Sequence, residues 1–246
     1  MRITADTVEK AGSYSNPLKE RELSLRGLKI PAIENLGVAT DYDAFDFSDN
    51  EIVSLRNFPL SHRLRTLLCA RNQISVIDPS LPTSLPNVTT LVLTSNNMSK
   101  LGDLEPLAKL FRLKYLSVMG NTVANKEHYR YWVIWLCPSL RFLDYQHVQE
   151  PERKRAKELF GTWSDPSPLA KMFLSEKTDQ SSLDLTQLED KIGAAMSNRT
   201  ELREPEKLRV REMLKSAKNL DEMLKIEKLL MEGRIPKGAE DVVMSG

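Results

Sequence analysis

Cysteine and histidine are scarce in this chain, two and three residues of 246. Cys69 and Cys137 are too few for a disulfide framework and both sit among apolar neighbours, so two core thiols and a reducing compartment are expected. His62, His128 and His147 are not spaced as metal ligands and no cysteine pair supports them. No run approaches the roughly 20 apolar residues needed to span a membrane. The opening MRITADTVEK lacks the apolar centre of a secretory signal. Neither sign of charge dominates: 35 Lys and Arg stand against 34 Asp and Glu, net +1. Residues 1–150 carry 17 and 16 of these, residues 151–246 carry 18 and 18. A protein that binds nucleic acid by itself is usually far more basic, so any RNA is expected to be held together with a partner. There is no glycine-rich phosphate loop and no Gly-x-Ser-x-Gly, so phosphate-loop and nucleophile-elbow chemistry have no support. No catalytic constellation is found, no cofactor is implied, and an enzyme is not expected.

What the chain does have is a repeat. VTTLVLTSNNMSKL, residues 88–101, is apolar at Val88, Leu91, Leu93, Met98 and Leu101, with Asn96 among them. Alternation at Leu91 and Leu93 reads as a short strand with both side chains on one face. The Asn96 amide can bond backbone groups that the following bend leaves unpaired. The unit recurs. Leu23, Leu25, Leu28, Ile30 and Ile33 form a first copy with Leu28 in the asparagine position; Phe45, Phe47, Asn50, Ile52 and Leu55 form a second. Leu67, Cys69, Asn72, Ile74 and Ile77 form the third, and Leu116, Val118, Asn121 and Val123 the fifth. The four asparagines are 22, 24 and 25 residues apart, within the range of leucine-rich repeats. The expected fold class is α/β: a right-handed leucine-rich repeat solenoid with a parallel concave sheet, capped at both ends and followed by a helical extension.

Alternation also names the side chains that line the concave face: Ser24 and Arg26, Asp46 and Ser48, Leu68 and Ala70, Val92 and Thr94, Ser117 and Met119. Its middle is small and apolar, which is a reason to expect a protein partner there. The acidic run at 41–51 lacks the glycine and glutamate of a calcium loop. Asp43, Asp46 and Asp49 are expected instead to offer negative charge to a basic partner.

Along the chain, residues 1–21 read as an N-terminal cap with a helix started by Thr4 or Asp6. Repeats fill 22–124. Residues 125–163 read as a C-terminal cap, with Tyr131, Trp132, Ile134, Trp135 and Leu136 as packing, and Leu140, Leu143, Tyr145 and Val148 repeating the strand pattern. Arg153, Lys154, Arg155 and Lys157 are a basic cluster on a helix that Pro151 can open; it is either a solvated face or a phosphate contact. Residues 164–203 read as a partly helical linker, 204–238 as a helical hairpin and 239–246 as a tail.

Several stretches go beyond the bare repeat. RELSLRGLKIPAIENLG at 21–37, DAFDFSDNEI at 43–52, LGDLEPLA at 101–108, NKEHYRYWVI at 125–134 and LRFLDYQHV at 140–148 resemble the A-prime family of the U2 small nuclear ribonucleoprotein, and LLMEGRIP at 229–236 is similar to that family's tail. Thr122 departs from the proline usual after the repeat asparagine, and 164–200 matches poorly. The resemblance implies a nuclear, non-catalytic splicing protein. It implies an RNA-recognition-motif partner, B-double-prime, with a helix in the concave face, and joint binding of stem-loop IV of U2 small nuclear RNA. In that arrangement Arg26, Lys29, Arg153 and Lys154 are the candidates to touch the RNA backbone, and the C-terminal helices are expected to meet other spliceosomal proteins. A phosphatase-binding leucine-rich repeat adaptor is the alternative from another class; it shares the repeat and the cap type but not the strings at 21–37 and 125–148. An acidic nuclear leucine-rich phosphoprotein is disfavoured by the charge-balanced C-terminal third.

Overall fold

The computed structural model describes residues 2–176. The hairpin and tail expected over 204–246, and the linker from residue 177 on, lie outside the described residues.

Six parallel strands form the centre of one sheet: β2 (Arg21–Ser24), β3 (Ala44–Asp46), β5 (Thr66–Leu68), β7 (Thr90–Val92), β8 (Tyr115–Ser117) and β9 (Phe142–Leu143). An antiparallel strand closes each end, β1 (Gly12–Ser15) beside β2 and β10 (Gln146–His147) beside β9. A minor parallel pair, β4 (Ser54–Leu55) with β6 (Val76–Ile77), links the second and third coils on the return. Helices α1 (Ala5–Lys10), α2 (Leu81–Ser84), α3 (Tyr129–Leu136), α4 (Glu150–Phe160) and α5 (Pro168–Ser175) complete the described chain, with 3-10 turns at Leu36–Val38, Leu101–Lys109 and Thr122–Asn125.

Register follows from the repeat. Leu23, Phe45, Leu67, Leu91, Leu116 and Leu143 are direct neighbours across the sheet. All are buried, as are Leu25, Phe47, Cys69, Leu93 and Val118 two residues on, and Ile30, Ile52, Ile74, Met98 and Val123 on the return. Each such side chain contributes about 1.5–3 kcal/mol of burial. Both cysteines lie in this core, and burial pushes the thiol of Cys137 up to about 12 and that of Cys69 higher still. They are packing groups.

The asparagines stitch one coil to the next. The Asn96 amide nitrogen donates to Leu93 O in its own coil at 3.0 Å and to Cys69 O in the preceding one at 2.9 Å, while its oxygen accepts from Ile74 N at 2.9 Å. Asn50, Asn72 and Asn121 repeat the pattern. All four are buried. The residue before each ladder position, Gly27, Asp49, Arg71, Ser95 and Gly120, has a positive φ in every coil. Glycine is needed at 120, where a Cβ would press on Ser95 at 2.9–3.3 Å. At the last coil Asp144 takes over: its carboxylate accepts from Val118 N at 2.7 Å and from the Tyr129 hydroxyl at 2.9 Å.

The caps are built differently at the two ends. Thr4 caps α1, accepting from Thr7 N, and Ile3 and Val8 pack beneath it. Asn35 ties this cap to the first coil through Ile3 O at 2.9 Å. At the far end Trp132 is fully buried, donates to Leu101 O at 2.8 Å and meets the rings of Trp135, Phe160 and Phe173.

Two expectations change. Tyr145 does not continue the inward pattern: Asp144 and Tyr145 both have positive φ and form the two-residue turn between β9 and β10, which turns the tyrosine out. The segment from residue 164, read as a partly helical linker, contains a packed helix, α5, that the sequence did not place. Ser167 caps α5, and Ala170 and Phe173 are buried against the cap. The helix lies so close to the turn at Leu101–Lys109 that a Cβ on Gly102 would collide with the carbonyls of Phe173 and Glu176. The proline- and serine-rich run at 164–168 marks a helix start rather than a loose tether.

If the ladder holds the coils together, Asn96→Ala strands at least two buried backbone groups and should cost about 2–4 kcal/mol in urea unfolding. The exposed neighbour substitution Asn97→Ala should cost less than about 0.5 kcal/mol; equal effects would contradict the ladder's role.

Candidate protein-docking face

The face of the sheet opposite the buried leucines presents three rows. The middle row is Ser24, Asp46, Leu68, Val92 and Ser117, direct neighbours by register. A second row follows the strands: Arg26, Ser48, Ala70, Thr94 and Met119 sit two residues on, and backbone bonds from Gly27 to Ser48, Asp49 to Ala70, Arg71 to Thr94 and Ser95 to Met119 continue the ladder beside them.

These residues are not equally available. Asp46 and Ser48 are buried, and the Asp46 carboxylate accepts the Ser48 N–H at 2.8 Å. Ser117 is buried and shares a hydrogen bond with Thr94 at 2.9 Å. Leu68, Ala70, Val92 and Thr94 are half-buried, and Met119 is 44% exposed. The face is therefore apolar across β5, β7 and β8.

A third row, missed from the sequence, lies two residues before the middle row in each repeat: Glu22, Ala44, Thr66, Thr90, Tyr115 and Phe142. The signal was present as the next step upstream in the same alternation. At the β2 end the N-terminal hairpin fills this row with polar groups: Tyr14 donates to Glu22 at 2.5 Å, Asn16 donates to Glu20 and Glu22 at 3.1 Å, and Thr66 donates to Glu20 at 3.0 Å. The Glu22 bond raises the Tyr14 hydroxyl pKa to about 12. At the β8–β9 end Tyr115 and Phe142 stack, with centroids 5.3 Å apart and planes 8° from parallel.

The acidic run does not offer free charge. Asp43 accepts from Arg63 at 2.9 Å and from Arg21 N at 2.9 Å, and the Arg63 bond lowers its pKa. Asp49 lies between Arg26, at 2.7 Å, and Arg71. The Arg71 hydrogen bond, then its charge and that of Arg26, bring Asp49 down to about 2 against a smaller opposing desolvation. Among the described residues no cluster of three or more His, Cys, Asp or Glu is placed to hold a metal.

The four basic candidates divide likewise. Lys29 and Lys154 are exposed. Arg26 is exposed but paired with Asp49. Arg153 donates to Pro138 O at 2.9 Å and Leu140 O at 2.5 Å, so its guanidinium fastens α4 to the last coil. Beside it Arg130 pairs with Glu152 at 2.6 Å.

A leucine-rich repeat family model matches residues 1–172. The chain is 50% identical over 246 residues to the U2 small nuclear ribonucleoprotein A′ of Neurospora crassa, spanning 98% of both chains. It is 52% identical over 241 residues to that of Aspergillus fumigatus, spanning 98% of this chain and 95% of the relative. The human protein of the same name is 50% identical over 161 residues, 65% of this chain and 63% of the relative. Among solved structures, the Drosophila melanogaster SNF/U2A′ complex contains a chain that is 39% identical, with a TM-score of 0.64 over 67% of this chain and 95% of that one.

Asp49 gives a direct check of the electrostatics. Its lowered pKa adds stability that is present in full above the ordinary value of 3.8 and is lost as pH falls through about 2. Carboxyl-carbon NMR should place the Asp49 midpoint near 2, returning toward 3.8 in Arg71→Gln. A wild-type midpoint already at 3.8 would show that the arginines do not hold it.

Proposed function

The chain belongs to the U2 small nuclear ribonucleoprotein A′ family of splicing components, and on that premise we propose that it is a non-catalytic nuclear scaffold that docks an RNA-recognition-motif protein, B-double-prime, in its concave face. The observation that carries this reading is the apolar strip of Leu68, Ala70, Val92 and Met119, left uncovered on a face where Asp46 accepts from Ser48 N and Thr94 bonds Ser117. A strip one to three side chains wide suits the apolar stripe of a single helix. The Drosophila relative, solved in a complex with SNF, supports a protein partner.

In this mechanism the partner reads the bases of stem-loop IV of U2 small nuclear RNA with its own aromatic sheet. The present chain holds the partner in orientation and adds charge at the edge. Of the four basic candidates Lys154 is exposed on α4, whereas Arg26 must leave Asp49 and Arg153 must leave two carbonyls to reach a phosphate; Lys29 stands at the first coil. Asp46, Ser48 and Ser117 act indirectly, by keeping the floor of the face rigid. The C-terminal segment, outside the described residues, is assigned to further spliceosomal contacts.

Replacing Leu68 and Val92 together by Asp puts two charges in the centre of the strip without touching the buried rows. Calorimetry with B-double-prime should show affinity reduced by about 100-fold or more, while circular dichroism and the melting transition stay close to wild type. Unchanged affinity would place the partner elsewhere.

A further inference from the structure

The edge at which the strands begin carries a site distinct from the docking strip. Arg65, Thr89, Lys114 and Arg141 each stand just before a strand, in consecutive coils. Their backbones are bonded in series: Thr89 N donates to Arg65 O, Lys114 N to Thr89 O and Arg141 N to Lys114 O, all at 2.8 Å. Adjacent strands lie about 4.8 Å apart, so Lys114 and Arg141 are neighbours and Arg65 follows two strands away. Arg112 and His62 join them from the loops that feed the strands, and these residues line one open cavity of about 680 Å³.

The charge here is sorted. The chain as a whole is near neutral, net +1, yet the cavity gathers Arg65, Arg112, Lys114 and Arg141 against a single carboxylate, Glu20. Glu20 is already engaged by Thr66 and Asn16. Among the described residues Arg112, Lys114 and Arg141 have no ion pair. The second feature is aromatic. Phe111 is 80% exposed and Tyr115 is 45% exposed, and both line the same cavity. Tyr115 is held flat by its stack on Phe142.

We propose that this edge binds a single strand of nucleic acid, with phosphates on Arg65, Arg112, Lys114 and Arg141 and a base stacked on Tyr115 or Phe111. Cations alone suit any polyanion. Flat rings beside a line of cations suit an unpaired base next to its phosphate, because every base has a π face and stacking is tolerant of sequence. An acidic peptide meets the charges and leaves the rings without a partner. Duplex bases are stacked on each other and cannot reach the rings. The net charge makes the binding modest and sensitive to salt. The site does not depend on the docking of B-double-prime and uses none of Arg26, Lys29, Arg153 or Lys154.

The test uses the full chain and a fluorescent oligouridylate of about 12 nucleotides, followed by anisotropy between about 50 and 200 mM salt. Arg112→Ala/Lys114→Ala/Arg141→Ala should weaken binding at least about tenfold at the low-salt end and reduce the slope of log K against log salt by about 2, at roughly 0.7 per lost phosphate contact. Tyr115→Ala should cost about tenfold with the slope unchanged, and Tyr115→Phe should restore it. Lys10→Ala/Lys171→Ala, exposed cations on α1 and α5, should leave this binding as in wild type, which separates the site from general attraction to surface charge. All substituted side chains are exposed, so equal melting transitions confirm that folding is intact. No binding by wild type, an unchanged triple variant, equal loss in Lys10→Ala/Lys171→Ala, or equal competition by poly-glutamate would each overturn the proposal.

Discussion

One buried carboxamide per coil holds this protein together. A solenoid bends its backbone after every strand and exposes N–H and C=O groups that no helix or sheet satisfies. Asn50, Asn72, Asn96 and Asn121 take up those groups, and each spends one bond on the carbonyl of the preceding coil. The coil spacing is thereby set by hydrogen bonds, while the leucine rows beneath supply most of the burial. The ladder has defined ends. Leu28 replaces the asparagine where a cap helix and hairpin cover the first coil, and the Asp144 carboxylate serves the last unpaired N–H at the other end.

The outward surface is what the ladder leaves free to vary. Because register is fixed from below, each outward row is a line of side chains at constant spacing, one per coil. The chain uses these rows for three different purposes. Near β2 and β3 they form an internal polar mesh, with Glu20, Glu22, Asp46 and Ser48 bonded to one another's neighbours and Asp43 and Asp49 held by arginines. Across β5 to β8 they form the apolar strip. At the strand-entry edge the row that holds Tyr115 stands beside the cations Arg65, Lys114 and Arg141, which precede the strands. The partner helix and the nucleic-acid strand proposed for this chain would thus have separate surfaces on one sheet.

Much of this was legible in the residues. Spacing of the four asparagines gave the repeat, and period-two alternation gave every inward row and two of the three outward rows. Local signals that depend on pairing were not legible. Nothing in the run DYDAFDFSDNE says that Arg63 and Arg71, about 20 residues on in the next coil, return to neutralise Asp43 and Asp49. Arg153 reads as surface charge because its acceptors are backbone carbonyls with no sequence signature. The α5 helix was hidden by a Ser-Asp-Pro-Ser-Pro run, which signals a helix start and a linker equally well. The strand-entry cations escaped notice because they are scattered through the sequence at Arg65, Arg112, Lys114 and Arg141, and only the coil register gathers them.

The central claim is that the ladder-fixed sheet presents Leu68, Val92 and Met119 to a protein partner. Methyl NMR on the full chain, with B-double-prime added, tests it most directly. The methyls of Leu68, Val92 and Met119 should show the largest shifts and gain contacts to partner protons, while those of the inward-facing Leu91 and Leu93 in the same coil move little. Largest shifts in α3 to α5, with Leu68, Val92 and Met119 unmoved, would contradict the account.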